Sequence, residues 1–246
     1  MSDTIMIIST FEKAEEMEKF FQSIEQSDLS EVPKAIIINT DPDRSKTGES
    51  NVRIAKYFKK KNDRIFVSRK NYYMSSYRYI IQKYFQEFEY FLGTEVDFWF
   101  EQPFLFYPHI KYFQQHSEVG LITILARYHT IFCNTYFDKM TFNLVDDYME
   151  IANKGGIRPW HLCFTKMRYV LDFFDDTKCE IADSLFADYI KNRVGKRVLT
   201  VDCRKHAVHF DYHATVKKYP YYAELCGVKH FSTQQRSVED QDIIEI

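Results

Sequence analysis

Apolar positions in this chain fall into short continuous runs that alternate with stretches of helical spacing. Residues 5–8 form an apolar run of the kind buried on both faces of a sheet. Phe11, Ala14, Met17, Phe20, Phe21 and Ile24 then recur at intervals that line one face of a helix. After Pro33, residues 36–38 make a second apolar run. Strand, helix and strand within about forty residues predict a βαβ unit with parallel strands and a right-handed crossover.

The alternation continues. A helix is expected over about residues 50–60 through Val52, Ala55 and Tyr57, followed by a strand at 65–67. Tyr77, Ile80, Ile81, Tyr84, Phe85 and Phe88 mark the buried side of the next helix, which leads into E-Y-F-L-G-T-E-V-D at 89–97. Its apolar start, residues 90–92, reads as a fourth strand. Residues 120–124 predict another strand and residues 130–133 a further candidate. A helix is expected over 138–152, closed by Asn153-Lys154-Gly155-Gly156. Residues 160–164 read as extended. Met167, Val170, Leu171 and Phe174 have helical spacing, and a helix over about 180–193 is expected to bury Ile181, Leu185 and Ile190 and to end at Gly195. Short strands are expected at 197–201 and 207–210. The tail from Thr233 is polar and acidic and is expected to be loosely ordered. The pattern as a whole predicts an α/β fold with a mostly parallel central sheet flanked by helices.

Composition narrows the class. With 45% hydrophobic and 28% charged residues the chain reads as an ordinary soluble globular protein. Its 22 Phe and 18 Tyr suit a ring-built core, and some rings could stack on a base or a sugar. The net charge of -2 argues against a general grip on nucleic acid, and the basic run Lys59, Lys60, Lys61 and Arg64 suits a solvated helix end. Five cysteines without a C-x-x-C pair suit reduced thiols, hence a cytoplasmic location. The first ten residues lack the basic region of a signal peptide, and no run of 18 apolar residues predicts a transmembrane helix.

Candidate chemistry gathers at strand ends. Asp41 and Asp43 follow the second strand in N-T-D-P-D-R-S, where ligands of open α/β sheets bind; the same Asp-Pro-Asp also suits a plain turn. Glu95 and Asp97 stand two positions apart, which on a strand puts both carboxylates on one side. Such a pair suits a hard divalent cation, or is simply two solvated acids in a loop.

These motifs, in their order and spacing over about residues 4–215, resemble the GT-A glycosyltransferases, and among them the family 2 type. Ser9, Thr10 and Phe11 resemble the first strand and turn that begin to hold the nucleotide. Asp41 matches the acid that contacts the uracil or ribose. Asn71 and Arg78 in N-Y-Y-M-S-S-Y-R resemble the N-x-G-x-x-x-A-R-N segment, with Tyr73, Tyr77 and Tyr79 replacing its glycine, alanine and last asparagine. Arg78 would pair with the diphosphate. E-V-D at 95–97 stands where the family carries D-x-D: the resemblance makes Asp97 the direct metal ligand, with Glu95 at the first acidic place holding the metal directly or through water. A-D-S-L-F-A-D-Y-I resembles the E-D-x-x-L helix start, so Asp183 takes the place of the catalytic base and Ala182 replaces the acid before it. V-H-F-D-Y-H-A-T makes His209 the late histidine that joins the metal in some members, with His213 and His206 as weaker candidates.

The resemblance implies a GT-A-like domain over 1–232, with a nucleotide-binding half at about 1–100, an acceptor half at about 101–215 and an acidic tail at 233–246. It implies transfer of a sugar from a nucleotide-diphosphate sugar to a carbohydrate or other hydroxyl acceptor, assisted by Mn²⁺ or Mg²⁺. Asp183 as base would give inversion. Two alternatives stand beside it: a non-catalytic GT-A-like binding or scaffold module, favoured by E-V-D and Ala182, and a sugar nucleotidyltransferase. The latter needs a Gly-rich basic segment after the first strand, which S-T-F-E-K-A-E-E lacks. A dinucleotide-binding oxidoreductase is disfavoured by the missing G-x-G-x-x-G.

Overall fold

The computed structural model describes residues 3–39, 48–69, 73–129, 141–151, 162–176, 183–218 and 238–246. Strands β1 (Thr4–Thr10), β2 (Lys34–Asn39), β3 (Arg64–Ser68) and β4 (Tyr90–Glu95) alternate with helices α1 (Ala14–Glu25), α2 (Gly48–Phe58) and α3 (Tyr73–Tyr84). Every residue of β1 and β2 is buried, as their unbroken apolar runs require. The four strands are mutually parallel in the order β3-β2-β1-β4. Between β1 and β4 the winding reverses, which opens a crevice beyond the carboxyl ends of these two strands.

The period-two alternation of β1 divides the core. Met6 and Ile8 face one cluster with Met17, Phe20 and Phe21 of α1 and Ala55 of α2. Ile5 and Ile7 face a second cluster with Tyr77, Ile80 and Ile81 of α3. Helices on both faces bury the sheet, so the parallel strands need no polar side.

The second half of the chain extends the same sheet in a mixed sense. Strands β6 (Val119–Leu125), β10 (Leu162–Lys166) and β11 (Arg197–Asp202) follow β4 in the order β4-β10-β6-β11. β10 runs antiparallel to both of its neighbours, whereas β6 and β11 are parallel. The parallel arrangement expected for the sheet thus describes the half built from β1 to β4. Helix α4 (Tyr107–Gln115) packs with the first cluster, and α5 (Met167–Asp176) and α6 (Asp183–Asn192) with the second.

Three expectations are corrected. The helix expected over 138–152 is, where described, a hairpin of β8 (Phe142–Val145) and β9 (Tyr148–Ile151). Val145 pairs with Tyr148, so Asp146 and Asp147 form a two-residue loop, and Asp146 takes φ 51°. A positive φ at the first loop position gives the twist that flanking strands need, and aspartate tolerates it. The tail is not loose throughout: a 3-10 turn at Asp240–Asp242 leads into β13 (Ile243–Glu245), which pairs antiparallel with β3 and covers that edge of the sheet. Leu185 is exposed, while Phe186, Ala187 and Ile190 carry the buried face of α6. Gly195 takes φ 71° just beyond that helix, a conformation in which a Cβ would strain the backbone. The strand expected at 130–133 and the turn at 153–156 lie outside the described residues.

Candidate active site

β4 ends at Glu95, and Val96 and Asp97 turn the chain into β5 (Phe98–Phe100). The alternation expected to align Glu95 with Asp97 therefore stops at Glu95, because a turn residue is not bound by the strand period. Val96 donates its N–H to the Ser9 carbonyl at 3.2 Å, which pins the turn over the end of β1. β5 belongs to a second, three-stranded sheet with β7 (Arg127–Tyr128) and β12 (Ala207–His209). Its register sets His209 opposite Phe98 and beside Tyr128. His209 Nε2 consequently lies 3.5 Å from Asp97 Oδ1. The Tyr128 ring meets the imidazole edge-on at 4.8 Å between centroids.

The other oxygen of Asp97 is held from the far side of the crevice. Lys13 Nζ lies 2.6 Å from Asp97 Oδ2, and the two residues are 6% and 4% exposed. Lys13 is the residue before α1, reached from β1 through Phe11 and Glu12. Glu12 takes φ 56°, a left-handed conformation that costs a non-glycine residue about 1–2 kcal/mol. The β1–α1 connection thus turns tightly and delivers an ammonium group to the acid that follows β4. Burial opposes ionisation of Asp97, but Lys13 and then His209 more than offset it and hold the carboxyl far below the usual carboxylate range.

Asp97 Oδ1 is buried yet makes no hydrogen bond among the described residues, and the same is true of Thr10 Oγ1. A buried acceptor without a donor is costly, and at a strand-end crevice it suits a ligand that supplies the missing partner. The chemistry of Asp97 Oδ1 and His209 Nε2 fits two positions of a hard or borderline cation such as Mn²⁺ or Mg²⁺. Adjacent octahedral ligands stand about 3 Å apart, and such ions usually complete their shell with phosphate and water. The fit is for a pair, not a cage: among the described residues no group of three or more His, Cys, Asp or Glu side chains could hold a metal ion. Glu95 therefore does not join Asp97 and His209 in such a group.

The remaining sequence candidates distribute as follows. Ser9 and Thr10 close β1, with Ser9 Oγ accepting from Asn39 Nδ2 at 2.9 Å, and Phe11 is partly exposed just beyond. Arg78 points to the helix layer, where its Nη2 lies 3.3 Å from Asp175 Oδ1 on α5 and its Nε donates to Gln82. Tyr77, at the family's alanine position, buries its ring and donates to the Ile7 carbonyl at 3.0 Å. Asp183 opens α6, and its side chain lies outside the described set, as do Asp41 and Asn71. His206 lies apart from the crevice, hydrogen-bonded to Gln102 at 3.1 Å; the His213 side chain is outside the described set. Lys13 escaped the sequence reading. Its only signal was a lone basic residue right after the first strand, and nothing local ties it to an acid 84 positions away.

No protein-family model and no curated protein sequence matches the chain. Solved structures do match. Staphylococcus aureus TarS 1-349 superposes with a TM-score of 0.54 at 10% identity over 97% of this chain and 67% of that one. Its complex with UDP gives 0.56 at 11% identity over 85% and 60%. The mannosyltransferase PcManGT from Pyrobaculum calidifontis, in complex with GDP-Man and Mn²⁺, gives 0.59 at 15% identity over 90% and 59%. This chain thus spans about three-fifths to two-thirds of the length of these proteins. At such identities the likeness establishes architecture: the chain carries the GT-A-like fold found in these glycosyltransferases.

Proposed function

We propose that the chain is a glycosyltransferase that moves a sugar from a nucleotide-diphosphate sugar to an acceptor hydroxyl, as a cytoplasmic step of carbohydrate biosynthesis. The observation that carries this reading is the Lys13–Asp97–His209 constellation at the reversal point between β1 and β4. Nucleotide and sugar ligands in the neighbouring structures, UDP and GDP-Man among them, support the substrate class.

Sugar transfer leaves negative charge on the departing diphosphate, and the site must meet that charge with preorganised positive groups. Asp97 and His209 would hold a divalent ion, which when bound supplies Lewis-acid neutralisation of the diphosphate. Ser9, Thr10, Phe11, Asp41 and Asn71 would line the nucleotide end, with Glu95 near the sugar. Arg78 would have to leave Asp175 to reach a phosphate. The acceptor hydroxyl is a weak nucleophile near neutral pH, and the Asp183 carboxylate would take its proton during attack. A single displacement of this kind inverts the anomeric centre.

The test is a screen of UDP-, GDP-, CDP- and dTDP-sugars for release of nucleoside diphosphate with Mn²⁺, run on the wild type and on folded Asp97→Ala and Asp183→Ala. Turnover of one donor that both variants lose is the expected result. Full metal-dependent turnover by Asp183→Ala would remove the base assignment. Tight nucleotide binding without turnover of any donor would make the chain a binding module.

A further inference from the structure

Asp97 carries a resident cation. That cation is Lys13, at 2.6 Å on Oδ2, while His209 Nε2 lies 3.5 Å from Oδ1. Lys13 also stands at the N-cap of the 12-residue helix α1, three residues past the end of β1. Two buried atoms, Thr10 Oγ1 at the end of β1 and Oδ1 of Asp97 itself, make no hydrogen bond among the described residues. An ammonium group and a buried carboxylate oxygen without a hydrogen-bond donor therefore stand together past the carboxyl ends of β1 and β4.

We propose that Lys13 is a second, metal-independent electrophile of the site: it neutralises Asp97 in the free protein and turns to the diphosphate when the nucleotide binds. The physical reason is charge balance. A buried carboxylate cannot stay ionised alone, so the free site needs a cation at all times. A diphosphate arriving beside it brings more negative charge, and the flexible ammonium can serve both oxyanions while keeping one hydrogen bond to each. Lys13 is thus a binding residue toward the diphosphate, and Asp97 is its anchor in the free state. The inference rests on the nucleotide-sugar reading above, and it is tested in a way that separates the two.

The measurement is the dissociation constant of UDP, GDP, CDP, ADP and dTDP by calorimetry, in EDTA and again with Mn²⁺, on the full chain. Wild type should bind one of them in EDTA, and Lys13→Met should weaken that binding about tenfold or more, the size expected for a hydrogen bond to a charged group. Asp97→Asn should not weaken binding in EDTA, because it removes the carboxylate that competes with the diphosphate for the ammonium. With Mn²⁺ the same variant should bind more weakly than wild type. Should Lys13→Met fail to fold with Asp97 left unpaired, the comparison moves to Asp97→Asn against the double variant Lys13→Met/Asp97→Asn, in which neither charge is buried alone. A double variant that binds in EDTA as well as Asp97→Asn overturns the proposal. Wild type that binds only with Mn²⁺ overturns it as well and leaves the glycosyltransferase reading standing. Wild type that binds none of the five under either condition removes both.

Discussion

The backbone N–H of Phe210 donates to the carbonyl of Asp97 at 2.6 Å, which locks the strand carrying His209 onto the turn carrying the acid. The His209 side chain is therefore positioned by main-chain bonds that do not depend on its imidazole. His209→Ala is expected to fold with wild-type cooperativity and to lose at least about tenfold in Mn²⁺ affinity in the presence of nucleoside diphosphate. Paramagnetic titration of Mn²⁺ checks this, and unchanged affinity would take His209 out of the ion's coordination.

Asp97 also gives the stability curve a predictable acid limb. Its folded pKa is depressed, so it stabilises the fold above its unfolded value near 3.9 and loses that contribution as pH falls toward the folded value. Stability should decline from about pH 4 downward, and Asp97→Asn should flatten that limb. Urea midpoints between about pH 6 and pH 2.5 measure it. Parallel slopes for wild type and variant would show that Lys13 and His209 do not hold the carboxyl in this way.

Gly93 sits in the middle of β4, and a Cβ there would stand 2.4 Å from Phe91 Cε1 and 3.1 Å from Cys163 Sγ. The Phe91 ring is fully buried and lies edge-to-face against Tyr77, so it has little room to move. Gly93→Ala should cost about 1–3 kcal/mol by overpacking. Chemical denaturation reads this directly, and a neutral result would mean that the ring has another rotamer open to it.

The C-terminal strand should be a structural part of the sheet. Arg64 makes two hydrogen bonds to Glu245, each 2.6 Å, and β13 covers the β3 edge. Removing residues 238–246 should lower the thermal midpoint and make light scattering concentration-dependent, because an open edge strand recruits other chains. A truncated chain that stays monomeric and equally stable would show that the edge is protected by other means.

The sequence by itself determined the strands and helices from β1 to β4, residues 4–95. There every segment is long, apolar and regularly spaced, so local pattern and global burial agree. It also named Asp97, from the acid pair E-V-D and its likeness to D-x-D, and His209, from the likeness of V-H-F-D-Y-H-A-T to a late family segment. Where segments were short and polar the pattern misled: 142–151 has helical spacing by count, but Asp146-Asp147 and the branched and aromatic residues around it favour a hairpin. Residues 243–245 form a strand only because β3 offers an unpaired edge, a condition no local pattern contains.

What only the tertiary structure decided is the electrostatics of the acid first seen at the end of E-V-D. Periodicity grouped Asp97 with Glu95, two residues away. Folding grouped it instead with Lys13 and His209, residues contributed by the β1–α1 connection and by a strand of the smaller sheet. Charge pairing acts through space at 2.6–3.5 Å, whereas periodicity reports only on neighbours along one element.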